Sequence, residues 1–253
     1  MIAIINKEIR SFFNNNIGLI ISSIFLIIFG LIQWTQLFNL SIFESGYANM
    51  HTFFFIAPPL FMIYISAISM KSFSEEFKSG TIEILITKPI SLKSIILAKY
   101  LAINIIIFIT IISTLIYPFT IYFLGENIGN IDLGGIIGSY LGLILTCCSF
   151  SSISLYCSSL TKNQVNALLL SILLNIFVFY GFSILSSFIN ISSLSIIVQK
   201  IGSQYHYDLI SKGVIIFSDL IYFFSISILF LFLINLRLQK KWFCLRNICQ
   251  FYF

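Results

Sequence analysis

Long apolar runs alternate with short polar interruptions along the whole chain. A bilayer's hydrocarbon core takes about 20 predominantly apolar residues per helical crossing. Six stretches approach or reach that length: 17–39, 52–70, 99–124, 135–158, 165–189 and 218–236. The pattern predicts an all-α integral membrane protein, one domain over 1–253 with six transmembrane helices. Pro58, Pro59 and Pro118 fall inside the second and third stretches. A proline there removes a backbone donor, so a kink or local unwinding is expected in each.

The polar interruptions carry the finer information. In residues 1–16, Ile2, Ile5, Ile9 and Phe12 or Phe13 recur at helical spacing, while Lys7, Glu8 and Arg10 fall elsewhere. That arrangement predicts a helix lying in the headgroup plane. The connection 190–217 mixes apolar and polar residues and is longer than most loops without a role. Two readings of it stay open: short helices resting on the outer leaflet, or a plain connector.

The interruption at 71–91 places four charges, Lys71, Glu75, Glu76 and Lys78, within eight residues. Ser72 and Glu75 have the spacing of a capping box. The second span is therefore expected to end near Met70 and a short amphipathic helix to begin. Its apolar face is Met70, Phe73 and Phe77; Lys71, Glu75 and Lys78 share the other. Gly80 supplies the stop, since glycine accepts the left-handed conformation needed there. A second short helix over 82–86 carries Glu83 and ends at Lys88 and Pro89, after which Ser91 caps the third span. Such a punctuated elbow, exposing Glu75, Glu76, Glu83 and Lys88, suits a groove on a soluble partner. A solvated, positively charged loop is the other reading.

Composition agrees with the pattern. The chain is 58% hydrophobic and 9% charged, with mean hydropathy +1.03. Soluble domains carry about 25% charged residues, so a water-soluble fold is excluded. The net charge of +5 is spread over the gaps between apolar runs, and no nucleic-acid partner is expected. Twelve of the 14 lysines and arginines fall on one side of the predicted topology, leaving only Lys200 and Lys212 on the other. By the positive-inside rule both termini and the 71–91 segment face the cytoplasm. No cleavable signal peptide is expected, because 1–16 is mixed in polarity and runs into a span too long for a signal core.

Chemistry is sparse. No Gly-x-x-x-x-Gly-Lys-Ser/Thr sequence occurs, so this chain has no phosphate-cradling P-loop. His51 and His206 read as isolated residues on the external side. Cys147, Cys148 and Cys157 lie in an apolar run as small hydrophobes, and Cys244 and Cys249 lack zinc-site spacing. Catalytic, cofactor and metal sites are therefore all absent from the reading, and the chain is not an enzyme. Asp219, at the start of the sixth span, reads as a helix N-terminal or interface residue. Gly134, Gly138 and Gly142 form a small-residue row that allows close helix approach, either within the chain or across a homodimer.

Ser74-Glu75-Glu76, then Gly80-Thr81-Ile82-Glu83-Ile84-Leu85 and Lys88-Pro89-Ile90, resemble the permease subunits of type-2 ATP-binding-cassette (ABC) exporters. The details are most like the gliding-motility-associated permease subunit of Bacteroidetes-type bacteria, a relative of the nitrous-oxide-reductase maturation permeases. Supporting stretches include Ile9-Arg10-Ser11-Phe12-Phe13, Ser158-Ser159-Leu160-Thr161-Lys162-Asn163-Gln164 and Ser211-Lys212-Gly213-Val214-Ile215. The resemblance covers roughly 1–242 and leaves the tail 243–253 unassigned.

This resemblance implies a type-2 exporter permease fold in a bacterial inner membrane, with 1–16 as a connecting helix. It implies that Glu75, Glu76, Gly80, Thr81, Glu83, Lys88 and Pro89 belong to a coupling segment contacting a separate ATPase subunit. ATP and magnesium would then be bound by that partner, with no cofactor in this chain. A second permease chain, identical or different, and membrane lipids complete the expected partners. The alternative is a membrane enzyme or a non-transporting scaffold for envelope assembly. An enzyme needs polar catalytic residues near the interface, and the sequence offers none.

Overall fold

The computed structural model describes residues 1–35, 50–82, 91–124, 132–189, 191–213 and 216–251, and each regular element among them is helical. In chain order these are α1 (Ile2–Asn14), α2 (Asn16–Trp34), α3 (His51–Ser79), α4 (Leu92–Thr114), α5 (Ile116–Leu124) and α6 (Leu133–Leu160). There follow α7 (Gln164–Ile176), a π-helical turn (Phe177–Gly181), α8 (Phe182–Ser187), α9 (Ser192–Ile201), α10 (Ser203–Ser211) and α11 (Phe217–Phe251). Among the described residues, five rods are long and apolar enough to cross a membrane: α3, α4 with α5, α6, α7 to α8, and α11. A sixth crossing comes from α2 when it is taken with α1, from which it is bent by 68°.

The central rod is α6, which buries residues on nearly every side, including Ser149, Ser151, Ser152, Ser154 and Ser158. Between helices in lipid the hydrophobic drive is weak, and close packing with interhelical hydrogen bonds replaces it. The serines serve that purpose. Ser149 Oγ donates to the Phe223 carbonyl on α11 at 3.3 Å, and Ser151 Oγ to Asn104 Oδ1 on α4 at 3.2 Å. Asn175 on α7 donates to Ser154 Oγ at 2.9 Å. Arg237 of α11 covers the last carbonyls of α6, Nε to Ser159 at 3.1 Å and an Nη to Leu160 at 3.2 Å.

The proline sites of the two spans behave differently. Pro118 interrupts its rod: α4 ends at Thr114 and α5 starts at Ile116. The Thr114 carbonyl, which a helical residue 118 would have used, instead accepts the Tyr140 hydroxyl at 3.1 Å. At Pro58 and Pro59 the expected unwinding is absent, and α3 runs through both. There the Phe54 carbonyl freed by Pro58 accepts the Tyr207 hydroxyl at 2.7 Å. A side chain from a neighbouring element has replaced the missing backbone donor.

The expected break near Met70 is also corrected, because α3 is continuous to Ser79. Ser72 Oγ makes no cap and has no hydrogen-bond partner among the described residues. Instead Ser158 of α6 inserts its hydroxyl into the α3 backbone. It accepts from the amides of Phe73 at 3.0 Å and Ser74 at 3.2 Å, and donates to the Met70 carbonyl at 3.1 Å. Ser74 Oγ also donates to the Met70 carbonyl. Local sequence favoured a break, and a tertiary contact bridges it. Gly80 then closes the helix at φ 74°.

At the other end of the bundle, 190–217 proves to hold α9 and α10. A methyl group at Gly138 would lie 2.7 Å from the Ile210 carbonyl oxygen, and one at Gly142 would lie 3.2 Å from the Ile210 side chain. So α10 packs directly on α6 of the same chain, with Tyr207 and Ile210 buried. Gly134 lies beside Gly213, which has φ 80°. His206 is not isolated: Nδ1 is 2.7 Å from Asp219 Oδ1, and Nε2 is 2.8 Å from the Lys200 carbonyl. Asp219, 1% exposed, therefore joins α11 to α10 rather than serving as a simple helix-end residue.

Candidate coupling site

The densest polar constellation lies at the end of the bundle where α1, the last turns of α3 and the start of α4 meet. Ser91 caps α4 by accepting from the Ser94 amide, so the helix begins about two turns before Lys99. That extension carries Lys99 into the packed interior, where its side chain is 1% exposed. Its ammonium lies 2.9 Å from Glu8 Oε1 of α1 and 2.9 Å from Glu76 Oε1 of α3. It also donates to the Ser72 carbonyl at 2.7 Å, and it stands 5.0 Å from the centre of the Phe73 ring.

An ammonium has three donors, and all are used here. Two carboxylates face one buried cation, and Lys7 adds a second positive charge 3.9 Å from Glu76 Oε1. Removing one member of such a cluster strands a buried charge, which is far more costly than never having built it. The cluster thus fastens the surface helix α1 and the span α4 to the same turns of α3. Beside it, a cavity of about 350 Å³ opens between α1, α2, α3 and α4, with Phe12 and Ile68 on its apolar side and Lys7, Lys71 and Glu75 on its polar side.

The end of the same turns is open to solvent. Glu75, Lys78, Ser79, Gly80 and Thr81 are exposed, while Phe73 and Phe77 are buried and stacked at 6.3 Å. The Ser79 hydroxyl donates to the Glu75 carbonyl at 2.8 Å and lies 2.9 Å from the Thr81 hydroxyl, which tightens the helix end. Of the residues the sequence singled out, Glu75, Gly80 and Thr81 share this exposed end. Glu76 is instead held in the Lys99 cluster. Glu83, Lys88 and Pro89 lie outside the described residues.

Sequence reasoning missed Lys99 and Glu8, counting the first as a loop charge and the second as part of a polar face. One signal was available: Lys99 sits among Ala98, Tyr100, Leu101 and Ala102, in the interior of an apolar helix rather than at its end. Chemically the site holds no nucleophile paired with a base. The exposed end of α3 is joined to α6 through Ser158, and to α4 and α1 through Lys99.

A comparison with curated proteins returned no match. A family model described as "ABC-2 family transporter protein" matches residues 2–210. Members of that family normally work with an ABC ATPase. With its helical spans and a match over most of its length, the chain belongs to the ABC-2 transporter family and is a multi-pass membrane transport permease.

Proposed function

We propose that this permease is the membrane subunit of an ATP-driven exporter of the bacterial inner membrane, energised by a separate ABC ATPase. The ATPase docks on the exposed end of α3, against Glu75, Lys78, Ser79, Gly80 and Thr81. Glu83, Lys88 and Pro89, further along the sequence, contact the same partner. Glu76 positions this surface through Lys99 instead of touching the partner. ATP and magnesium are bound by the ATPase, and two permease chains enclose the transport path. The sequence resemblance supports the gliding-motility type.

One observation carries the reading: a polar, exposed helix end is continuous with a membrane span and anchored from inside by Ser158 and Lys99. A flexible solvated loop needs no such anchoring. In the test, the ATPase is co-purified from detergent-solubilised membranes with wild-type permease and with the Glu75→Lys, Lys78→Glu variant. The variant is first shown to reach the membrane at wild-type abundance. Loss of the ATPase from the variant is the expected result, and equal recovery with both forms would remove the docking assignment.

A further inference from the structure

The two prolines in the first third of α3 leave the helix with a weak point that its own backbone cannot repair. Pro58 has no amide hydrogen, so the Phe54 carbonyl lacks its helical donor. In a membrane interior an unpaired carbonyl is costly, and a neighbouring side chain must satisfy it. Tyr207 does so at 2.7 Å. The tyrosine that covers the carbonyl freed by Pro118, Tyr140, is carried by the central span α6. Tyr207 is carried instead by α10, a nine-residue helix that spans nothing.

That helix is held at several points around the same spot. Ser139 Oγ donates to the Ser211 carbonyl at 3.0 Å, and the glycines at 138 and 142 admit Ile210 against α6. His206 fastens α10 to α11 through Asp219. Phe179, in the π-helical turn, packs on the Tyr207 ring at 5.9 Å between centres. A π turn is itself an irregular joint in a helix. Two irregular points in two different spans, the proline pair of α3 and the π turn after α7, thus meet at one side chain. Burial pushes the Tyr207 hydroxyl well above its ordinary range, with Cys147, Asp208 and Tyr180 adding to the effect, so it stays a donor.

We propose that Tyr207 is a positioning residue that holds α3 straight at Pro58–Pro59 and ties its bending to displacement of α10. While the hydroxyl occupies the Phe54 carbonyl, α3 is one rigid rod. When α10 withdraws, the rod has a joint. The proposal rests on the permease reading only in giving that joint a use: the far end of α3 is where the ATPase is placed.

The test needs only the purified permease in lipid nanodiscs. Tyr207→Phe keeps the ring and removes one hydroxyl, whereas Pro58→Ala restores a backbone amide for the Phe54 carbonyl. In thermal unfolding, Tyr207→Phe lowers the midpoint in the parent chain, and most of that effect vanishes in the Pro58→Ala background, as coupled sites require. Spin labels at His51 and Lys71, placed after the native cysteines are replaced by alanine, read the bend directly. A straight helix holds these positions about 30 Å apart at its usual rise.

Tyr207→Phe should raise the shorter-distance population about threefold, the factor for losing one average hydrogen bond between membrane helices. Pro58→Ala should reverse that increase. An equal midpoint loss in both proline backgrounds overturns the proposal, as does an unchanged distance distribution in Tyr207→Phe. Failure of an ATPase to bind would strike the permease–ATPase reading alone, because both measurements use the isolated chain.

Discussion

At the scale of single residues, Lys99 is the strongest test of how the charged end is built. It is the one lysine among the described residues whose side chain is almost wholly buried, and its three donors meet two carboxylates and a carbonyl. Lys99→Met strands two acids beside one another. It should cost about 3–5 kcal/mol of unfolding free energy, the range for breaking a buried ion pair. Glu8→Gln keeps an oxygen acceptor and should cost only about 1 kcal/mol, a typical hydrogen-bond increment. Chemical denaturation in mild detergent separates the two, and similar losses from both variants would mean that the lysine is solvated. The exposed partners of this site were legible in the sequence, since Glu75 and Lys78 fall on the polar face of a helix already marked by Phe73 and Phe77. The interior lysine was not. A hydropathy pattern that begins the third span at residue 99 treats that lysine as a loop charge, although the Ser91 cap, itself readable in the sequence, starts the helix two turns before it.

At the scale of helices, the fit between α6 and α10 yields a graded expectation. A methyl group at Gly138 meets backbone, the Ile210 oxygen at 2.7 Å and the Gly213 Cα at 3.0 Å, so α10 must move to admit it. Gly138→Ala should therefore destabilise the chain by about 1–3 kcal/mol, as overpacking does. Gly134→Ala meets only Asp132 Oδ1 at 3.5 Å, an ordinary contact, and should be close to neutral. Thermal unfolding of the two variants checks the difference, and equal losses would show that α10 is not packed there in the membrane. The spans themselves followed from apolar run length, because a bilayer imposes a length on every crossing. The unbroken course of α3 did not, since the capping-box spacing at Ser72 and Glu75 is local information and Ser158 lies 86 residues later in the chain than Ser72. The π turn at Phe177–Gly181 was likewise hidden, as no residue type marks it. His206 and Asp219 are 13 residues apart; only the packing of α10 against α11 brings them together.

At the scale of the whole molecule, α3 links the two ends of the bundle. One end carries the exposed polar turn braced by Lys99 and Ser158; towards the other lie the proline pair and the Tyr207 contact. A family of transporters that normally rely on a separate ATPase has use for a rod of that kind. Membership of the class was legible in the run of spans and in the 75–90 segment, whereas the bracing depends on residues from α1, α4 and α6 that no local motif contains. The most direct measurement is photo-crosslinking in native membranes, with a benzophenone amino acid placed at Lys78 in one permease and at Lys200 in another. A covalent adduct between the Lys78 permease and an ABC ATPase, with none from Lys200, is the expected result. An ATPase adduct from Lys200, or none from Lys78 while the two proteins still co-purify, would place the docking surface elsewhere and overturn the role given to α3.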